Sequence, residues 1–274
     1  MLSVGKGTEG GADTVNSQQD PVGVFDSGIG GISALIAMKN LMPRETFIYF
    51  GDTKNAPYGT RSTAEVIRFV RDVVQQLLKS NIKALVIACN TATGAAAATL
   101  RRELDIPVIG MEPALKPASE LRKGGSILVL ATPLTLHQEK FERLMNQYGE
   151  GAVPVACSGL MELVEKEDYE GAESYLKNVF SRYDMHHVDA VVLGCTHYVF
   201  LKDMIRDIIP ENVAITEGSE GTARQLRRIL LRSGMLNETG TGHVVLETSG
   251  TDSDIQLMRK FLDQHDSLKK IITH

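Results

Sequence analysis

ALVIACNT (Ala84–Thr91) and AVVLGCTH (Ala190–His197) can be laid over each other without a gap. Each starts as an apolar run, passes one small residue to reach a cysteine, and continues into hydrogen-bonding side chains. An apolar run without a break reads as a strand covered on both faces, as in parallel sheets flanked by helices. Polar residues straight after the cysteine mark a strand end where a helix begins. The repeat therefore predicts two similar α/β halves. Each offers a thiol at the carboxyl end of a strand, the edge where open α/β sheets place their ligands.

Outward from these segments, short β-branched runs alternate with amphipathic stretches. Strands are predicted at Val22–Phe25, Phe47–Phe50, Ala84–Ala88, Val108–Gly110, Ile127–Ala131, Val153–Ala156, Val188–Gly194, Val213–Thr216 and Val244–Thr248. Helices are predicted over Ser62–Ser80, Thr135–Tyr148, Gly171–Tyr183 and Gly221–Ser233. Such alternation indicates the α/β class with largely parallel sheets. A length of 274 residues suits two modest domains or one large one.

Composition narrows the functional classes. There are 29 Lys+Arg against 34 Asp+Glu, a net charge of -5, with no basic block, so nucleic acid is not an expected partner. No apolar run reaches the roughly 18–20 residues of a membrane helix, and no membrane partner is expected. The first twenty residues are polar and Gly-rich without an apolar middle; they read as a flexible tail, 1–20, rather than a secretory signal. Three widely spaced cysteines, Cys89, Cys157 and Cys195, do not form a disulfide framework. A reducing, cytoplasmic setting is expected.

Four motifs carry the chemistry. FDSGIGG (Phe25–Gly31) follows the first strand; its glycines allow close backbone approach, and Asp26 and Ser27 serve either as helix caps or as ligand contacts. GDTKNAPYGTRS (Gly51–Ser62) is a long loop in which Pro57-Tyr58-Gly59 fixes a turn and presents a hydroxyl beside a backbone N–H. Cys89 precedes Asn90 and Thr91, and Cys195 precedes Thr196 and His197, each at a helix start that should lower a thiol pKa. Cys157 lacks such a setting and reads as a small apolar filler.

Several chemistries could use this set. Cys89, Cys195 and His197 could bind a metal, yet no CxxC or HxxxH spacing supports that, so none is expected. A Cys–His hydrolase would use Cys195 with His197 and leave Cys89 idle. A non-catalytic amino-acid-binding protein would need neither thiol. Two like groups on two like halves suit a proton swap at a stereocentre, one thiolate removing the proton and the other thiol donating. FDSGIGG is not a G-x-G-x-x-G fingerprint and no G-x-x-x-x-G-K-[ST] occurs, so no nucleotide cradle is read and no cofactor is expected.

FDSGIGG, GDTKNAPYG, IACNTAT and LGCTHY, in this order, resemble the glutamate racemases of the aspartate/glutamate racemase superfamily. The resemblance spans Pro21 to Thr216, with the remainder fitting a closing segment. It implies cofactor-independent interconversion of L- and D-glutamate for peptidoglycan. It also implies two pseudo-symmetric α/β domains with the active site in the cleft between them, in a homodimer. The implied division is residues 21–112 plus 217–274 as one domain and 113–216 as the other.

By the same resemblance Cys89 and Cys195 are the acid/base thiols, the first acting on the D- and the second on the L-enantiomer. Asp26 and His197 assist them, and Glu165 is a further acidic member. Ser27, Asn90, Thr91 and Thr196 contact the amino-acid head, while Pro57, Tyr58 and Gly59 lie near the side-chain carboxylate. The family pattern GTxGTxxS becomes Ala131 to Gln138 here, keeping Thr132 and Thr135 but replacing the final Ser by Gln138. Val199 stands where Pro is usual. Aspartate, or another small acidic amino acid, is the nearest alternative substrate, since one methylene in a pocket is worth only roughly 1–3 kcal/mol.

Overall fold

The computed structural model describes residues 17–268. The first half runs β1 (Val22–Asp26), α1 (Ile32–Leu41), β2 (Phe47–Gly51), α2 (Thr63–Leu78), β3 (Ala84–Ile87), α3 (Asn90–Glu103) and β4 (Val108–Gly110). A short α4 (Leu115–Glu120) leads to the second half. It contains β5 (Ser126–Ala131), α5 (Pro133–Leu136), α6 (Glu139–Tyr148), β6 (Ala152–Ala156), α7 (Leu160–Glu165), α8 (Tyr169–Phe180), β7 (Val188–Leu193), α9 (Lys202–Ile208) and β8 (Ala214–Glu217). The chain closes with α10 (Ser219–Arg232), β9 (Val244–Thr248) and α11 (Asp252–Leu268).

One sheet has the order β4-β3-β1-β2-β9 and the other β6-β5-β7-β8, and every pairing is parallel. Read from the opposite edge, the second sheet is β8-β7-β5-β6, which repeats β4-β3-β1-β2 strand for strand. The echo between the two cysteine segments is thus the visible part of a repeated topology. In both sheets the order reverses between the first and third strands of the repeat. That switch point leaves a crevice outside the carboxyl ends, the usual ligand site of such sheets. After β8 the chain returns to the first sheet, where β9 pairs with β2 in register from Phe47↔Val244.

The strands are apolar because both faces are covered. In the first sheet, Val22, Val24, Tyr49 and Val86 face α1, while Phe25, Ile48, Leu85 and Ile87 face α2 and α3, as the two-residue side-chain period demands. In the second sheet, Ile127, Val129, Ala190 and Val192 pack with Leu115 and Phe141, and Leu128, Leu130, Val191 and Leu193 with Leu160, Leu176 and Ile205. Burying each such side chain contributes roughly 1.5–3 kcal/mol. The predicted start of α2 is explained by a capping box. Glu65 N–H donates to the Ser62 hydroxyl at 3.3 Å, and Ser62 N–H donates back to the Glu65 carboxylate at 3.0 Å.

Two expectations need correction. The helix predicted over Thr135–Tyr148 is broken into α5 and α6 because Gln138 is extended, with φ -83° and ψ 142°. The flexible tail predicted for 1–20 is fixed at its end. Gln18 donates from Nε2 to the Gly234 carbonyl at 2.9 Å and accepts from Lys83 Nζ. Lys83 is fully buried and pairs with buried Glu45 at 2.6 Å, so the Gln18 carbonyl completes the shell of a buried ammonium. Residues 1–16 of that tail lie outside the described residues. Among the described residues no helix is long and apolar enough to cross a membrane.

Candidate active site

The loops that leave β1, β3, β5 and β7 at the two switch points meet face to face. Cys89 follows β3 and Cys195 follows β7, and both line one cavity with Ser27, Asn90, Thr91, Thr132, Thr196 and His197. Gly59, Gly194 and Met161 complete its wall. The cavity is tight, about 10 Å³. A larger groove of about 980 Å³ lies between α3, α6 and α10, but neither Cys89 nor Cys195 opens into it.

Asp26 ends β1 and is fully buried. Its Oδ1 accepts the Gly28 N–H at 2.8 Å and its Oδ2 accepts the Thr196 hydroxyl at 3.0 Å, so one carboxylate joins both halves. Burial raises its pKa, against the opposing pull of His197. Tyr49 donates to the Gly28 carbonyl at 2.7 Å and holds this loop from below. Bare glycines let the halves meet: a Cβ on Gly30 would stand 2.4 Å from His197 Nδ1 and Thr196 Oγ1.

The two thiols have unlike surroundings. Cys89 is the N-cap of α3 and accepts the Ala92 N–H at 3.5 Å, with the Ser27 hydroxyl at 3.7 Å. Burial and the Asp26 charge nevertheless push its pKa up to about 12. The helix N-terminus was expected to lower it; desolvation outweighs that effect here. Cys195 Sγ lies 3.8 Å from His197 Nδ1, whose Nε2 is 2.9 Å from Glu165 Oε1. Burial opposes the charge on His197, but the bonds to Cys195 and Glu165 prevail and hold its pKa well above the usual histidine value. The imidazole beside Cys195 is thus held toward its charged form, whereas Cys89 lies in the field of the Asp26 charge.

A trio of hydroxyls spans the halves. Thr91 Oγ1 lies 3.0 Å from Thr132 Oγ1 and 2.9 Å from Thr135 Oγ1, and those two are 2.9 Å apart. Gln138, at the position that departs from the family pattern, reaches across as well. Its Nε2 donates to the Thr91 carbonyl at 2.9 Å.

The predicted residues divide into a lining set and a supporting set. Cys89, Cys195, Ser27, Gly59, Asn90, Thr91, Thr132, Thr196 and His197 reach the cavity. Asp26 stands behind Thr196, Glu165 behind His197, and Thr135 behind Thr91 and Thr132. Pro57 and Tyr58 do not line it. The Tyr58 hydroxyl, expected to face a ligand, is taken by Asp52 inside the loop. Cys157 is buried and donates to the Val155 carbonyl at 3.6 Å, which fits the filler reading. Met161 and Asp52 escaped sequence reading: an apolar residue in an amphipathic helix and an acid in a polar loop carry no local signal. Among the described residues, no group of three or more His, Cys, Asp or Glu side chains is arranged to hold a metal.

Comparison with known proteins agrees with this geometry. The chain is 46% identical over 246 residues to a glutamate racemase from Clostridium botulinum, covering 88% of this chain and 96% of that one. Its structure is similar to a glutamate racemase from Thermus thermophilus solved with β-chloro-D-alanine, with a TM-score of 0.77 and 34% identity over 89% of this chain and 93% of that one. A glutamate racemase isoform from Bacillus anthracis superposes with a TM-score of 0.80 and 32% identity, over 90% and 95% of the two chains. The family model for Asp/Glu/Hydantoin racemases matches residues 33–226. With two thiols facing one cavity from two repeated sheets, the chain belongs to the Asp/Glu/Hydantoin racemase family.

Proposed function

We propose that this protein is a glutamate racemase that interconverts L- and D-glutamate by proton transfer between Cys89 and Cys195, without a cofactor. The observation that carries the proposal is the placement of both thiols at equivalent positions of the repeat, lining one cavity. From L-glutamate, the Cys195 thiolate removes the α-proton and the electron pair stays on the α-carbon. The Cys89 thiol then delivers its own proton to the opposite face. The reverse direction exchanges the two roles. Its raised pKa keeps Cys89 protonated, the form needed when L-glutamate reacts, and His197, held toward its charged form, stabilises charge on Cys195.

Asp26 orients Thr196 and the Gly28 N–H, and Glu165 orients His197. Ser27, Asn90, Thr91 and Thr196 contact the amino-acid head; Thr132 and the backbone at Gly59 receive the side-chain carboxylate, with Thr135 and Tyr58 supporting them from behind. The two domains are residues 21–112 plus 217–274 and residues 113–216, in keeping with the membership of β8 and β9 in different sheets. The product supplies D-glutamate for peptidoglycan in the cytoplasm, where three unpaired cysteines are at home. The enzyme acts as a homodimer, as the family resemblance implies.

The test is proton NMR of L- and D-glutamate with enzyme in deuterated water. Both enantiomers should lose the α-proton signal while optical rotation decays to zero. Binding without exchange would make the protein an amino-acid-binding module. Exchange of aspartate but not glutamate would move the substrate to the shorter acid.

A further inference from the structure

The Pro57–Gly59 loop hangs on a carboxylate that no reacting atom touches. Asp52 follows β2, and its N–H donates to the Asp26 carbonyl at 3.0 Å, which ties it to the end of β1. Its side chain is 1% exposed. Oδ2 accepts the Tyr58 hydroxyl, Oδ1 accepts the Ser249 hydroxyl at 2.6 Å, and Asn55 Nδ2 donates to both oxygens at 3.0 and 3.1 Å. These three donors are neutral.

An ionised carboxylate only accepts, so each neighbouring hydroxyl must turn its hydrogen toward it. Tyr58 is thereby pinned by its tip, with its ring 5.7 Å from that of Phe69. Ser249 arrives from the end of β9, nearly two hundred residues away in sequence. Its hydroxyl also accepts the Lys54 N–H at 3.2 Å, and the adjacent Thr248 hydroxyl donates to the Gly51 carbonyl at 2.9 Å. The closing segment thus clasps the loop from outside the cavity. On the inner side, a Cβ on Gly59 would lie 2.6 Å from Thr132 Cβ, so the loop already touches the hydroxyl trio. The residues lining the cavity supply hydroxyls and an amide but no carboxylate, so an anionic group there meets donors rather than like charge.

We propose that Asp52 is a positioning residue. Through Tyr58 it sets the gap between the Pro57–Gly59 loop and the Thr91–Thr132–Thr135 hydroxyls, and with it how well the cavity holds a substrate's distal carboxylate. The inference rests on the racemase reading. Its test compares glutamate with β-chloro-D-alanine, which has no distal carboxylate. Removal of the α-proton from that analogue expels chloride, and the resulting aminoacrylate hydrolyses to pyruvate and ammonia.

Two variants are measured, Tyr58→Phe and Ser249→Ala. Loss of one hydrogen bond to the carboxylate in Tyr58→Phe should raise the KM for glutamate about tenfold, well beyond any rise for β-chloro-D-alanine. Ser249→Ala, outside the cavity, should shift the same ratio in the same direction by about threefold. Equal rises for both substrates, or a glutamate KM that stays at the wild-type value in both variants, would overturn the proposal. Should Tyr58→Phe fail to fold, Ser249→Ala decides alone. Failure of the racemase reading is seen separately: the unaltered enzyme then exchanges no glutamate α-proton, and the proposal falls with it.

Discussion

The hydroxyl of Thr196 donates to Oδ2 of Asp26 across the cleft at 3.0 Å. Thr196 is the neighbour of one thiol, and Asp26 raises the pKa of the other. A single hydrogen bond therefore connects the electrostatics of the two half-sites. Asp26→Asn keeps the size and an acceptor for Thr196 but removes the charge beside Cys89. In a protein whose only remaining cysteine is Cys89, ultraviolet thiolate absorbance should titrate below the pH seen with Asp26 present. An unchanged midpoint would mean that burial alone sets the Cys89 pKa.

The two thiols should separate in a partial reaction. Cys→Ser keeps a hydroxyl but places its pKa far above working pH, so the altered side is no base. With glutamate, either variant should lose racemisation. With a glutamate analogue carrying a leaving group on the β-carbon, Cys89→Ser should still eliminate from the L-form through Cys195, and Cys195→Ser from the D-form through Cys89. Equal loss of both enantiomers in both folded variants would end the assignment of one thiol to each face.

Stability should fall with pH through His197. Below about pH 6.5, the unfolded histidine value, the imidazolium is charged in both states and its full contribution is present. Its folded pKa lies well above that, so the contribution is lost as the pH rises through the folded value. Glu165→Gln removes a carboxylate 2.9 Å away and brings the folded pKa down. Melting temperatures measured from pH 6 upward should decline more steeply for the unaltered protein than for the variant. Parallel curves would deny the Glu165–His197 pair any charged character.

Gly94 and Gln138 should behave as a lock. A Cβ on Gly94 would sit 1.7 Å from Gln138 Oε1, so the amide must swing away and give up its bond to the Thr91 carbonyl, a loss of about 1 kcal/mol. Gly94→Ala should lower both stability and racemisation. Gln138→Ser, which restores the shorter residue of the family pattern, should recover most of the loss in the double variant. Additive losses would show that the two side chains do not communicate.

Much of the fold is legible because parallel strands bury both faces. Val22–Phe25, Ala84–Ala88 and, apart from Asp189, Val188–Gly194 stand out as apolar runs, and the observed strands coincide with them within a residue or so. The lining residues were accessible for a related reason: Cys89, Thr91, Cys195 and His197 sit one to four residues past such strands. The supporting residues were harder. Asp52 works through Tyr58 and through Ser249, a contact made only in the folded chain. The α5–α6 break depends on Gln138 reaching across the cleft, and the fixing of Gln18 depends on a buried lysine that local patterning does not reveal.

The unequal neighbours of the two thiols have a kinetic consequence for a racemase. Free L- and D-glutamate are mirror images, so their solution equilibrium constant is unity and the Haldane relation forces equal kcat/KM in the two directions. The protein is not its own mirror image: the His197 ring lies against Cys195, and the Asp26 charge bears on Cys89. The two bound complexes therefore differ in energy. Whichever enantiomer is held more tightly must also turn over more slowly, by the same factor. Asymmetry in the cavity appears as a matched pair of shifts in KM and kcat, never as a preference in their ratio.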